Sequence, residues 1–141
     1  MPIRNCPIIT FDGDNKAILL PIKILNPYSG RLIKTFGLID TGASDCAIPA
    51  FLATMLGHDL IKGITKQTST GNGLATAYRH TSTIIIYHPQ NPDTKIIYTL
   101  DNVLIDCMSN LPIVLLGVNG FLSNFILKID YPKMIFSLYK E

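Results

Sequence analysis

Cysteine is scarce in this 141-residue chain, and the three that occur, Cys6, Cys46 and Cys107, are odd in number, far apart and without any CxxC spacing. Such an arrangement supports neither a disulfide framework nor a structural zinc site. The three read as free, mostly buried thiols. Charge is also sparse. Twelve Lys and Arg against ten Asp and Glu leave a net +2, and the basic residues are scattered instead of gathered into a patch. That excludes nucleic acid as a partner on electrostatic grounds. Long apolar runs are missing as well. Stretches such as residues 17–20 and 113–116 fall far short of the roughly 20 residues that span a bilayer, so no membrane partner is expected. The start, MPIRNCPIITF, lacks the long apolar core of a secretory signal, and a cytoplasmic location is the default expectation.

What is present is a well-packed globular composition, 48% hydrophobic and 16% charged, of a length that suits one domain, residues 1–141, around a single core. Segments 7–11, 17–25, 31–39, 75–87, 95–100, 102–105, 125–129 and 134–139 are rich in Ile, Leu, Tyr and Thr. The clusters DGDN, NPYSG, TGNG, HPQNPD and DYPK between them supply turn residues. Short strands at this spacing predict an all-β sandwich or barrel. Only residues 50–56 read as helix, with Pro49 suited to the first turn, apolar Phe51, Leu52, Met55 and Leu56, and Gly57 as the terminator. No internal repeat, linker or low-complexity segment interrupts the pattern.

Within it, FGLIDTGASDCAIP (residues 36–49) places an acid, Asp40, between an apolar run and a turn of small residues. Asp, Thr and Gly are ordinary turn residues, so turn formation alone accounts for a lone DTG. The alternative is chemical. Phe36, Leu38 and Ile39 form an apolar strand that ends on Asp40, Gly42 allows close backbone approach, and an acid with restricted access to water suits acid–base chemistry. A second element, LPIVLLGVNGFLSNF (residues 111–125), reads by itself as a core strand closed by Gly117.

Taken together, IDTGAS, the strand and short helix of DCAIPAFLATMLG, the glycine-containing STGNGLA and then LLGVNGFL resemble the retropepsin-type (retroviral-type) aspartic protease family, from about residue 30 to residue 139. The resemblance implies an all-β closed barrel with one short helix, active as a twofold homodimer on a polypeptide substrate, with no metal and no cofactor. It makes Asp40 the catalytic aspartate, Thr41 the residue that braces the two catalytic loops across the dimer, and Gly42 the glycine of the tight turn. Ala43 and Ser44 complete the motif, with Ser44 steadying the loop. Thr70, Gly71, Asn72, Gly73 and Leu74 fall at the tip of the family's flap. Leu115, Leu116 and Gly117 match the apolar pair and glycine beneath the active-site loop. Val118 departs from the pattern, because retroviral members carry Arg there and use it in an ion pair at the dimer base. Those members also interleave their terminal strands, which points to the chain ends as the dimer's cement.

One DTG per chain supplies one carboxylate, and the simplest source of the other is a second copy of the chain. Of the remaining candidates, His58, His80 and His88 lack metal-ligand spacing and read as packed or surface histidines. Cys46 has no evident histidine partner and is not a nucleophile. Asp45 is expected to be exposed or to line a subsite, without a catalytic role, and Asp130 to belong to the turn ahead of Pro132. A second reading keeps the same dimeric fold as a peptide-binding or assembly module with weak or absent proteolysis.

Overall fold

The structure, a computed structural model, describes residues 3–11, 13–70 and 73–140. Its strands are β1 (Ile3–Pro7), β2 (Ile9–Phe11), β3 (Asn15–Ala17), β4 (Leu19–Leu25), β5 (Leu32–Ile39), β6 (Cys46–Pro49), β7 (Ile64–Thr70), β8 (Gly73–His88), β9 (Asn91–Met108), β10 (Val114–Leu116), β11 (Ile126–Asp130) and β12 (Ile135–Tyr139), and α1 is Ala50–Met55. Strands run in the order β4, β5, β10, β6, β9, β8, and β8 returns to β4 to close a six-stranded barrel. β8 can do this because it is long. Its first half pairs with β7, its second half with β4 through Ile22↔Ile86 and Leu25↔Thr83. The barrel interior is filled by Leu20, Ile22, Ile24, Ile48, Ile84, Ile86, Ile105 and Leu116, each contributing about 1.5–3 kcal/mol through burial. These branched residues suit the pleated, inward-facing positions of strands.

One threading decides where a site can form. β10 lies between β5 and β6, parallel to the first through Val114↔Gly37 and Leu116↔Ile39, and antiparallel to the second through Leu115↔Ala47. The ends of β5 and β10 therefore lie side by side, and the segments that follow them, Asp40 onward and Gly117 onward, leave the barrel together.

Three differences from the sequence expectation have local causes. β9 is one strand where two were expected, since Asn102, with φ 57°, kinks it without ending it. β7 reads as polar, ITKQTST, and is a strand through its pairing with β8. The chain ends pair with each other in the same chain: β1 lies on β12 through Ile3↔Leu138 and Cys6↔Phe136, and the β11–β12 hairpin completes a three-stranded sheet. β1 thus has a strand partner within its own chain. Elsewhere the turn chemistry holds, as Asp130 Oδ1 accepts the Lys133 N–H at 3.1 Å.

α1 begins after Pro49 and ends at Gly57, whose φ of 85° suits glycine. Leu56 is fully buried and Leu52 packs against the core, while Phe51 and Met55 are exposed. The segment after α1 is anchored by His58. Buried Asn26 donates through Nδ2 to the Leu56 carbonyl at 3.0 Å and stands 3.5 Å from His58 Nδ1, while its Oδ1 accepts the Tyr28 N–H at 3.0 Å. That polarity makes Nδ1 an acceptor and leaves the ring proton on Nε2, 2.9 Å from Ser82 Oγ. A charged ring would turn an N–H toward the Asn26 amide donor. Burial first, and the His80 ring at 4.7 Å second, hold the His58 pKa below the ordinary histidine value. A lowered histidine pKa means that the folded state is undiminished above the unfolded value of about 6.5 and loses stability as pH falls below it. Tm should therefore decline from about pH 7 to about pH 5, and less steeply in His58→Gln. An unchanged slope in the variant would remove His58 from the account; some slope remains in either case, since burial lowers His88 as well.

Candidate active site

Asp40 continues the β5–β10 ladder by one step, its N–H donating to the Leu116 carbonyl at 3.1 Å. The chain then turns. The Asp40 carbonyl accepts the Ala43 N–H at 3.2 Å, and its carboxylate Oδ1 accepts the Gly42 N–H at 3.0 Å. The carboxylate is held by its own loop and stays half-buried, while Thr41, Gly42 and Ser44 are exposed. Ile39 is buried beneath it and Phe36 faces outward.

The second segment closes on the first by backbone bonds. The Val118 N–H donates to the Ala43 carbonyl at 2.9 Å and the Asn119 N–H to the Ser44 carbonyl at 2.8 Å. Gly117 makes this possible. A Cβ there would stand 2.4 Å from the Asp45 carbonyl oxygen and 2.8 Å from that of Ala43. The close approach expected at Gly42 lies here instead, because a Cβ on Gly42 would meet only Asp40 Oδ1, at an ordinary 3.4 Å. Leu116 is fully buried below the two loops and Leu115 is half-buried. Thr41, Gly42, Ala43, Ser44, Val118 and Asn119 line a shallow hollow of about 280 Å³. Val118, where the sequence departs from the retroviral pattern, is an exposed apolar side chain.

The β7–β8 hairpin pairs up to Thr70↔Gly73, with Leu74 opposite Ser69. Gly71 and Asn72, the centre of the expected flap tip, lie outside the described residues.

Asp45 departs from expectation. It is largely buried, its side chain 15% exposed, and Lys66 Nζ donates to its Oδ2 at 2.6 Å. Lys66 also reaches Asp106 Oδ2 at 2.9 Å; Arg79 Nε donates to Asp106 Oδ1 at 2.9 Å, and Arg79 Nη2 lies 3.4 Å from Asp45 Oδ1. Asn119 Nδ2 adds a bond to Asp45 Oδ1 at 3.3 Å. Two carboxylates and two cations therefore close a ring beside the Asp40 loop, and burial of the acids requires such pairing. The Lys66 hydrogen bond, ahead of the other contacts, holds the Asp45 carboxyl below its ordinary pKa, and the Asp45 bond raises Lys66. For a lowered carboxyl the stabilisation is complete above the unfolded value, about 3.9, and is lost only as pH falls below it. The Asp45–Lys66 bond thus remains intact in mild acid. Its one sequence signal was Asp106, an acid inside the apolar run LIDCM.

Cys46 and Cys107 are buried, and burial pushes their thiols up to about 11 and about 12. Both are protonated at neutral pH and are poor nucleophiles. Among the described residues, no three His, Cys, Asp or Glu side chains converge as a metal site requires, and no helix is long and apolar enough to cross a membrane.

Residues 34–119 match the family model described as aspartyl protease. The chain belongs to that family. The matched stretch is more than half of the chain and takes in both loops and the hairpin. A solved retropepsin-like aspartic protease from Rickettsia conorii is similar over 93% of this chain and 96% of its own length, at 27% identity and a TM-score of 0.62. The closed barrel with its single short helix is accordingly a retropepsin-like fold. No curated protein gives a match.

Proposed function

We propose that the chain is an aspartic endopeptidase that hydrolyses peptide bonds between Asp40 and the Asp40 of a second copy. The observation that carries the reading is the placement of Asp40. It sits on a strand end, held by the Gly42 N–H and the Leu116 carbonyl, in a half-buried loop within the stretch matched by the aspartyl protease family. A single loop of this kind supplies half of a dyad. Two carboxyls a few ångströms apart share one proton and titrate as a pair, behaviour for which aspartic proteases are the type case. The ionised member takes a proton from a water as its oxygen attacks the scissile carbonyl, and the protonated member donates to the carbonyl oxygen. The tetrahedral adduct collapses as the member carrying the water's proton passes it to the amide nitrogen, which leaves as the amine, while the other member takes back the proton it gave to the carbonyl oxygen. In this reading Thr41, exposed in the loop, braces the partner's loop across the dimer, and Ser44 steadies the loop.

The test is concentration. Specific activity should fall on dilution in step with dimer dissociation followed by analytical ultracentrifugation, and an excess of Asp40→Asn chains should poison wild-type activity by forming mixed dimers. Full specific activity in a demonstrably monomeric sample would show that a second acid within the chain completes the site.

A further inference from the structure

The hairpin made by β7 and β8 leaves the barrel at a definite rung. β8 pairs with β9 from Tyr78↔Cys107 and Arg79↔Asp106 onward, whereas it pairs with β7 from Gly73 to Arg79. From Ala77 toward the tip, the described pairings of the two strands are with each other. A two-stranded ribbon of this kind is marginally stable in water, so its aim depends on how its root is held.

Lys66 lies opposite Ala77, on the first rung outside the barrel. Its ammonium reaches back to two separate anchors, Asp45 in the Asp40 loop at 2.6 Å and Asp106 in β9 at 2.9 Å. Arg79, two rungs further in, joins the same two carboxylates. Asp45 is in turn fixed by backbone packing, since its carbonyl abuts Gly117. Hairpin, Asp40 loop and barrel wall therefore meet at one charge-balanced ring, of which Lys66 is the outermost member.

We infer that Lys66 is a positioning residue, clamping the root of the β7–β8 hairpin to the Asp40 loop through Asp45 and to the barrel through Asp106. The inference rests on the protease reading above for its consequence in catalysis, and on the geometry alone for the clamp. Without the ammonium, the hairpin's root loosens to the Arg79 rung and two largely buried carboxylates are left to one guanidinium. Arginine carries the charge and the reach to restore both bonds; methionine has the length and no charge.

The experiment compares wild type, Lys66→Met and Lys66→Arg. Hydrogen exchange of ligand-free protein over residues 64–67 and 76–79 should speed up by about tenfold in Lys66→Met, with β4 and β12 unchanged, and return toward wild type in Lys66→Arg. With a peptide substrate, KM should rise by about three- to tenfold in Lys66→Met while kcat stays within about twofold, because the reacting atoms are untouched. Exchange that rises equally across the barrel would mark Lys66 as a general stabiliser and overturn the clamp. So would wild-type exchange in Lys66→Met; confined exchange with KM unchanged in an active enzyme would overturn the positioning role in catalysis. Exchange needs no catalysis: a wild-type protein that cleaves nothing, yet shows the confined change in Lys66→Met, rejects the protease reading and retains the clamp.

Discussion

Asp40→Asn should abolish peptide cleavage, by at least about a thousandfold, while leaving a folded chain with Tm within a few degrees of wild type. The side chain keeps its volume, and an amide oxygen can still accept the Gly42 N–H that Asp40 Oδ1 accepts at 3.0 Å. The backbone bond to Leu116 is unaffected. What disappears is the ionisable group, and with it both proton transfers assigned to the dyad. Cleavage of a peptide library and a thermal melt on the same preparation check the two halves. Substantial residual cleavage would refute the assignment of Asp40.

Gly117→Ala should be the most damaging small substitution at the site, destabilising the fold by about 3 kcal/mol or more. The added methyl would meet the carbonyl oxygens of Asp45 and Ala43 and the Asp45 carbonyl carbon, all within 2.8 Å. These are backbone atoms, and they cannot rotate away as a side chain would. Relief requires the two loops to part, which breaks the bonds from Val118 to Ala43 and from Asn119 to Ser44. Gly42→Ala is the control, with its methyl at ordinary contact distance from Asp40 Oδ1, and should change stability by less than about 1 kcal/mol. Urea melts of the two variants decide the matter; equal stabilities would mean that the loops are less tightly joined than the geometry requires.

The Asp40 and Gly117 loops were legible in the sequence because each is contiguous, small residues following an apolar run. The barrel was legible for a related reason, as Ile- and Leu-rich stretches of strand length alternate with turn clusters. β7 was not, since Thr65, Lys66, Gln67 and Thr68 carry no apolar alternation and the strand exists by virtue of its neighbour. Nor was the ring of Asp45, Lys66, Asp106 and Arg79. Those positions come together only through the β8–β9 register and the path of the chain between β5 and β6, neither of which any local pattern encodes. The position of Asp45 beside the motif suggested an exposed or subsite-lining acid; two cations arriving from distant strands made it a largely buried, paired one.

The threading of β10 between β5 and β6 has a consequence for how the protein acquires its site. The hairpins β7–β8 and β11–β12 join neighbours in the chain and close short loops. β10 reaches β5 only after β6, β7, β8 and β9 have intervened, so its docking carries the entropy of a long closure, and contacts of this kind dominate slow folding. Asp40 and Gly117 are neighbours through that one docking. A chain with its local hairpins formed but β10 undocked has the acid without the frame that holds it, and the candidate site belongs to the completed topology instead of to any fragment of it.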